Sequence, residues 1–218
     1  MISGVIFDMD GLMIDTERLC VELWCQVLVE QGMPPHRELA LHCMGLDHGA
    51  MRKYLGEMLG GFDYMAALSE VGRRSEQYCR EHGVPVKRGL YALLHFLDTM
   101  KIPYGVATST RGENARRRLR DIGVLDHLSA LITGDMVTHG KPQPEIFQRA
   151  AEALALPPER CLVLEDSPHG ILAAHGAGCL PMMIPDLQEP RPEILQMLHA
   201  RGDSLYDVIP VLQQSIFG

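Results

Sequence analysis

Short apolar runs alternate with stretches of helical periodicity, and this alternation restricts the chain to an α/β architecture. The runs are residues 4–7, 104–107, 130–133, 161–164 and 180–184. Each is apolar along its length rather than alternating, so each reads as a strand buried on both faces. Helical faces recur between them. Leu90, Leu93, Leu94 and Leu97 form one, Ala115, Leu119 and Ile122 another, and Ile146, Phe147, Ala150 and Leu154 a third, behind Pro144 in a first-turn position. Apolar strands separated by helices predict a parallel sheet covered on both sides.

Residues 17–87 interrupt this pattern. They hold no convincing strand. Leu19, Leu23 and Val27 make one helical stripe, Met51, Leu55 and Leu59 a second, and 67–80 a third, with breaks at 32–36, Gly60-Gly61 and 83–89. A helical block between the first strand and the rest of an α/β domain reads as an insertion. The expected division is a core of 1–16 and 88–218 and a helical unit of 17–87.

The formal net charge of -8 across 218 residues disfavours nucleic acid and anionic membranes as partners. A site for a phosphorylated ligand in such a chain must be made positive locally. The first apolar run breaks at Asp8, which argues against a signal peptide. No apolar stretch reaches the roughly 20 residues that span a bilayer. The six cysteines include no C-x-x-C pair, so free thiols in a reducing cytoplasm are expected. The basic cluster Arg116, Arg117, Arg118 and Arg120 is expected on a solvated helix face.

Ligands of open parallel sheets bind beyond the carboxyl ends of the strands, and reactive side chains collect there. The first strand ends in Asp8-Met9-Asp10-Gly11, with Asp15-Thr16 behind it. The second ends in Thr108-Ser109-Thr110, and the fourth in Glu165-Asp166-Ser167. Gly140-Lys141-Pro142 lies between the third and fourth. Carboxylates gathered so closely call for a hard cation, and magnesium suits a few carboxylates plus water and phosphate oxygens. Asp8 and Asp166 are the leading ligands, with Glu165 and Asp10 the other acids around the ion. Lys141 supplies a further positive charge, and Thr108 and Ser109 bring hydroxyls to phosphate oxygens. Gly11 permits a tight turn, so that the N–H groups of Met9 and Asp10 can approach a phosphoryl group. A calcium loop starting at Asp8 fails, because Met13 and Leu19 stand where glycine and glutamate are needed. The D-x-D spacing suits covalent catalysis. Asp8 would attack phosphorus, and Asp10 would protonate the leaving alcohol and then take a proton from water.

These residues resemble the four motifs of the haloacid-dehalogenase superfamily. Phe7-Asp8-Met9-Asp10-Gly11 with Asp15-Thr16 is similar to the first, and Ala107-Thr108-Ser109-Thr110 to the second. Gly140-Lys141-Pro142-Gln143-Pro144-Glu145-Ile146-Phe147 and Glu165-Asp166-Ser167-Pro168-His169-Gly170 are similar to the third and fourth in the sugar-phosphatase and β-phosphoglucomutase-like branch. The resemblance implies a Rossmann-like core, an all-helical cap inserted after the first motif, and a magnesium-dependent phosphatase acting on a small phosphorylated metabolite, expected to be a sugar phosphate. A phosphosugar mutase is the alternative. Such a mutase has a histidine where this chain has Cys20, and a cap arginine where it has Leu46-Asp47-His48. A non-catalytic binding protein on the same fold is the weaker alternative. His48 is the helical unit's candidate to face substrate, while His139 and His169 read as loop histidines. A monomer is expected.

Overall fold

The computed structural model describes residues 1–34, 37–39, 48–187 and 189–217. Its centre is a six-stranded sheet of order β3-β2-β1-β4-β5-β6. The strands are β1 (Gly4–Phe7), β2 (Tyr104–Thr108), β3 (Ala130–Thr133), β4 (Cys161–Glu165), β5 (Leu180–Met183) and β6 (Ala200–Arg201), and every pairing is parallel. The first five follow the apolar runs. The sixth is two residues long and offers no pattern to read.

Alternation of side chains across β1 explains why its run is apolar throughout. Val5 and Phe7 point into one core with Val106, Leu162 and Leu164. That core is closed by Leu90, Leu93 and Leu97 of α4 (Leu90–Met100), Leu119 of α5 (Gly112–Asp121) and Leu212 of α9 (Val208–Phe217). Ile6 points the other way, joining Ala107, Ile132 and Val163 beneath α6 (Glu145–Ala153) and α7 (Pro168–Gly176). A short helix, α8 (Pro192–Leu195), buries Ile194 against Ile171 and Met183.

The inserted segment builds a core of its own. Helices α1 (Thr16–Glu30), α2 (His48–Met58) and α3 (Tyr64–His82) bury Val21, Trp24, Leu28, Leu55, Ala67 and Val71 together. Trp24 stacks on Tyr64 with ring centroids 6.1 Å apart. The two chain crossings between this unit and the sheet are hydrogen-bonded to each other. Ile14 and Val86 form an antiparallel bridge, Asp15 N–H donates to the Pro85 carbonyl at 2.9 Å, and Lys87 N–H to that of Met13 at 2.9 Å. Asp186, just beyond β5, pairs with Arg18 of α1 at 2.9 Å and with Lys87 at 2.8 Å.

Cys20, Cys25, Cys79, Cys161 and Cys179 are free thiols, buried or half-buried. Among the described residues, no helix is long and apolar enough to cross a membrane.

Candidate active site

Strand order reverses between β1 and β4, which is where an open α/β sheet leaves a crevice at its carboxyl edge. Asp8 occupies that crevice. Its N–H donates to the Leu164 carbonyl at 2.9 Å, so the ladder runs up to the side chain that projects from it. Lys141 arrives from the loop before α6. Its Nζ donates to Asp8 Oδ1, and to Glu165 Oε1 at 2.6 Å, while lying 4.9 Å from the centre of the Phe147 ring. Asp8, Lys141, Glu165 and Asp166 are all buried.

Burial disfavours an ionised carboxyl and pushes Asp8 up to about 8, against the attraction of Lys141 and with the repulsion of Glu165 added. Burial also pushes Asp166 well above the usual carboxylate range, with Glu17, Glu165 and Asp8 repelling it further. Lys141 shows the converse. Burial pulls it down, but Asp8 and Glu165 together outweigh that and hold it charged.

Glu165 stood among the expected metal ligands, but both of its oxygens are committed. Oε1 accepts from Lys141, and Oε2 accepts from the Ser167 N–H and hydroxyl, each at 3.0 Å. A Cβ on Gly170 would fall 1.8 Å from its carboxyl carbon, so this acid is wedged between the lysine and the start of α7. Asp10, also expected near the ion, is committed too. Oδ1 accepts from the Thr16 hydroxyl at 2.8 Å and from Arg118 Nη1 at 2.6 Å, and Oδ2 from the Thr110 hydroxyl at 2.7 Å.

The turn after β1 needs Gly11. Its φ is +84°, and a Cβ there would lie 2.2 Å from Asp166 Oδ2. The missing side chain admits the Asp166 carboxylate, just beyond β4, to the turn after β1. Thr108 is buried, and its hydroxyl accepts from the Thr110 N–H at 3.1 Å. Ser109 is exposed on the rim of a cavity of about 990 Å³ that Thr110, Arg118 and His139 also line. His48 begins α2, but its side chain lies outside the described residues, as do Leu46 and Asp47.

Two site residues carry no motif signal. Glu17, the first acid of α1, meets the same Gly11 turn as Asp166, its carboxyl carbon 3.0 Å from where a Gly11 Cβ would sit, and burial, with repulsion from Asp10 and Asp8, pushes it up to about 8. Its position directly after Thr16 is the one hint the sequence offers. Arg118 corrects the expectation of a solvated basic face. Arg116 and Arg120 are exposed, but Arg118 turns inward to Asp10, and Arg117 reaches Glu76 of α3 at 3.0 Å.

The donor chemistry fits a divalent cation. Lys141 pairs with Asp8 and Glu165 only, and burial first, then mutual repulsion, pushes Asp8, Glu17 and Asp166 upward. Among the described residues, no three of these side chains already converge as a closed metal cage. A magnesium site completed by water and substrate oxygens does not need one.

A doubly wound parallel sheet with a lysine-bridged acidic cluster at its switch point belongs to the class of α/β proteins whose ligands bind at the strand ends. Within that class, the chain belongs to the haloacid dehalogenase-like hydrolase family, whose model matches residues 5–184. It is 32% identical over 190 residues to validoxylamine A 7'-phosphate phosphatase of Streptomyces hygroscopicus subsp. limoneus, covering 82% of this chain and 83% of that protein. It is 33% identical over 179 residues to a phosphorylated carbohydrates phosphatase of Thermotoga maritima, with 81% and 82% covered. A β-phosphoglucomutase of Bacillus subtilis is a further relative, 27% identical over 81% of this chain and 80% of its own length. Among solved structures, CbbY of Rhodobacter sphaeroides in complex with phosphate superposes with a TM-score of 0.77 at 25% identity, with 94% of this chain and 95% of that one covered.

Proposed function

We propose that this protein is a magnesium-dependent phosphatase that hydrolyses a small phosphorylated carbohydrate through an aspartyl-phosphate on Asp8. The observation that carries the reading is the Asp8–Lys141–Glu165 chain buried at the carboxyl end of β1, with Asp10 two residues on. Lys141 holds Oδ1 of Asp8 and leaves Oδ2 for attack. That oxygen forms a bond to phosphorus as the ester bond to the sugar breaks. Asp10 gives its proton to the departing alcohol, then takes one from the water that displaces phosphate from Asp8. The hydroxyls of Thr108 and Ser109 and the N–H groups of Met9 and Asp10 receive the phosphoryl oxygens. Asp8 and Asp166 would hold the magnesium ion, which when bound supplies further positive charge against those oxygens. Glu165 serves by fixing Lys141. Residues 17–87 act as a cap whose closure excludes water.

The test is a panel of sugar phosphates scored for released phosphate. Turnover is expected to vanish with chelator, to return with magnesium, and to be abolished by Asp8→Asn with the circular dichroism unchanged. Near-normal release by Asp8→Asn would overturn the nucleophile. Transfer of the phosphoryl group between positions of the sugar, faster than release, would establish a mutase instead.

A further inference from the structure

Asp10 has three side-chain partners in this structure, and one of them is a cation from outside the motifs. Arg118 Nη1 sits 2.6 Å from Asp10 Oδ1, with only 15% and 24% of the two side chains exposed. Arg118 lies on the second turn of α5, so the helix that begins beyond the Thr108-Ser109-Thr110 loop returns a guanidinium to the turn of β1. The next residue back, Arg117, ties the same helix to Glu76 of α3. Thr16 and Thr110 hold one oxygen each through neutral hydroxyls, and Arg118 adds the one charged contact, on Oδ1. A charged hydrogen bond of this length is about twice as strong as a neutral one and fixes direction as well.

We infer that Arg118 is a positioning residue for Asp10, fixing the orientation from which its carboxyl serves the leaving-group oxygen of an ester attacked by Asp8. The inference rests on the phosphatase reading above. It assigns Arg118 no contact with substrate. Its effect passes through the proton that leaves Asp10 and arrives on the sugar oxygen as the phosphorus–oxygen bond breaks. A leaving group that needs no proton should therefore be insensitive to Arg118, whereas damage to the fold would slow all substrates alike.

The experiment measures kcat/KM, which reports the steps up to the first phosphoryl transfer, for glucose 6-phosphate and for p-nitrophenyl phosphate in magnesium. Arg118→Ala is expected to lower the value for glucose 6-phosphate about 30-fold, a part of the 10²–10⁴-fold that a general acid supplies, and to lower that for p-nitrophenyl phosphate about threefold or less. Arg118→Lys, which keeps the charge and protects the fold, should recover part of the loss. So should guanidinium ion added to Arg118→Ala. Equal losses on both esters, or no loss on either, overturn the inference. A wild-type protein that is active and silenced by Asp8→Asn, yet indifferent to Arg118→Ala, overturns it while leaving the phosphatase reading intact. If glucose 6-phosphate is not turned over, the sugar phosphate of the panel that is hydrolysed fastest takes its place, and a wild-type protein inactive on the whole panel and on p-nitrophenyl phosphate overturns both.

Discussion

Asp8 and Asp10 stand two residues apart, yet their carboxylates have different settings. Asp8 is buried against a lysine, whereas Asp10 is held by two hydroxyls and a guanidinium at the edge of the site. The consequence for pH follows from buried Asp8 and half-buried Glu17. Burial pushes Asp8 and Glu17 each up to about 8, against roughly 4 in an unfolded chain. Between those values the folded protein binds more protons than the unfolded one, so metal-free stability falls as pH rises through the window. A divalent cation needs the acids ionised, so its protection should grow over the same range. Thermal melts at several pH values should show the metal-free melting temperature dropping toward pH 8, and magnesium reducing that drop. A metal-free midpoint that climbed would contradict the burial of these carboxyls. The motif acids and Lys141 were legible because each closes an apolar run or sits at a fixed spacing. Glu17 and Arg118 were not, because a charged residue on an amphipathic helix looks the same in sequence whether it faces water or a carboxylate.

Among the elements, α7 shows how a helix start can govern a site. Ser167 caps it by accepting from the Gly170 N–H at 3.1 Å, while donating to the Glu165 oxygen that does not meet Lys141. Gly170 is the point of closest approach, with no room for a methyl group. Gly170→Ala should cost about 1–3 kcal/mol through forced displacement. It should also lower turnover, since Glu165 can no longer hold Lys141 against Asp8. Urea unfolding and phosphate release measure the two effects, and unchanged values in both would show that Glu165 can relax freely. The strands could be read because parallel strands covered on both faces are apolar along their length. Ala200–Arg201 escaped because two residues carry no period. The stripe of Met51, Leu55 and Leu59 was readable, and all three are buried in the helical unit. What that unit presents to a ligand was not, since pocket shape depends on how separate helices meet.

For the molecule as a whole, an acidic chain gathers its working charge at one strand edge and fastens its helical unit close by. Asp186, whose side chain is 1% exposed, joins Arg18 of that unit to Lys87 of the returning crossing. Asp186→Ala would leave the two cations facing each other, with Asp15 at 3.5 and 3.7 Å as their remaining partner. A loss of about 1–3 kcal/mol is expected, with faster proteolytic nicking within residues 83–89. Unaltered nicking would mean that the backbone ribbon suffices without the ion pairs. That ribbon has a consequence for how such a protein can diversify. The chain departs at Met13–Asp15 and comes home at Pro85–Lys87, with the two strands already bonded side by side. The helical unit is thus plugged into a socket whose contacts touch. A helical segment of another length could be grafted between the same ends without moving a strand, since the bonded crossings set the ends independently of what lies between them.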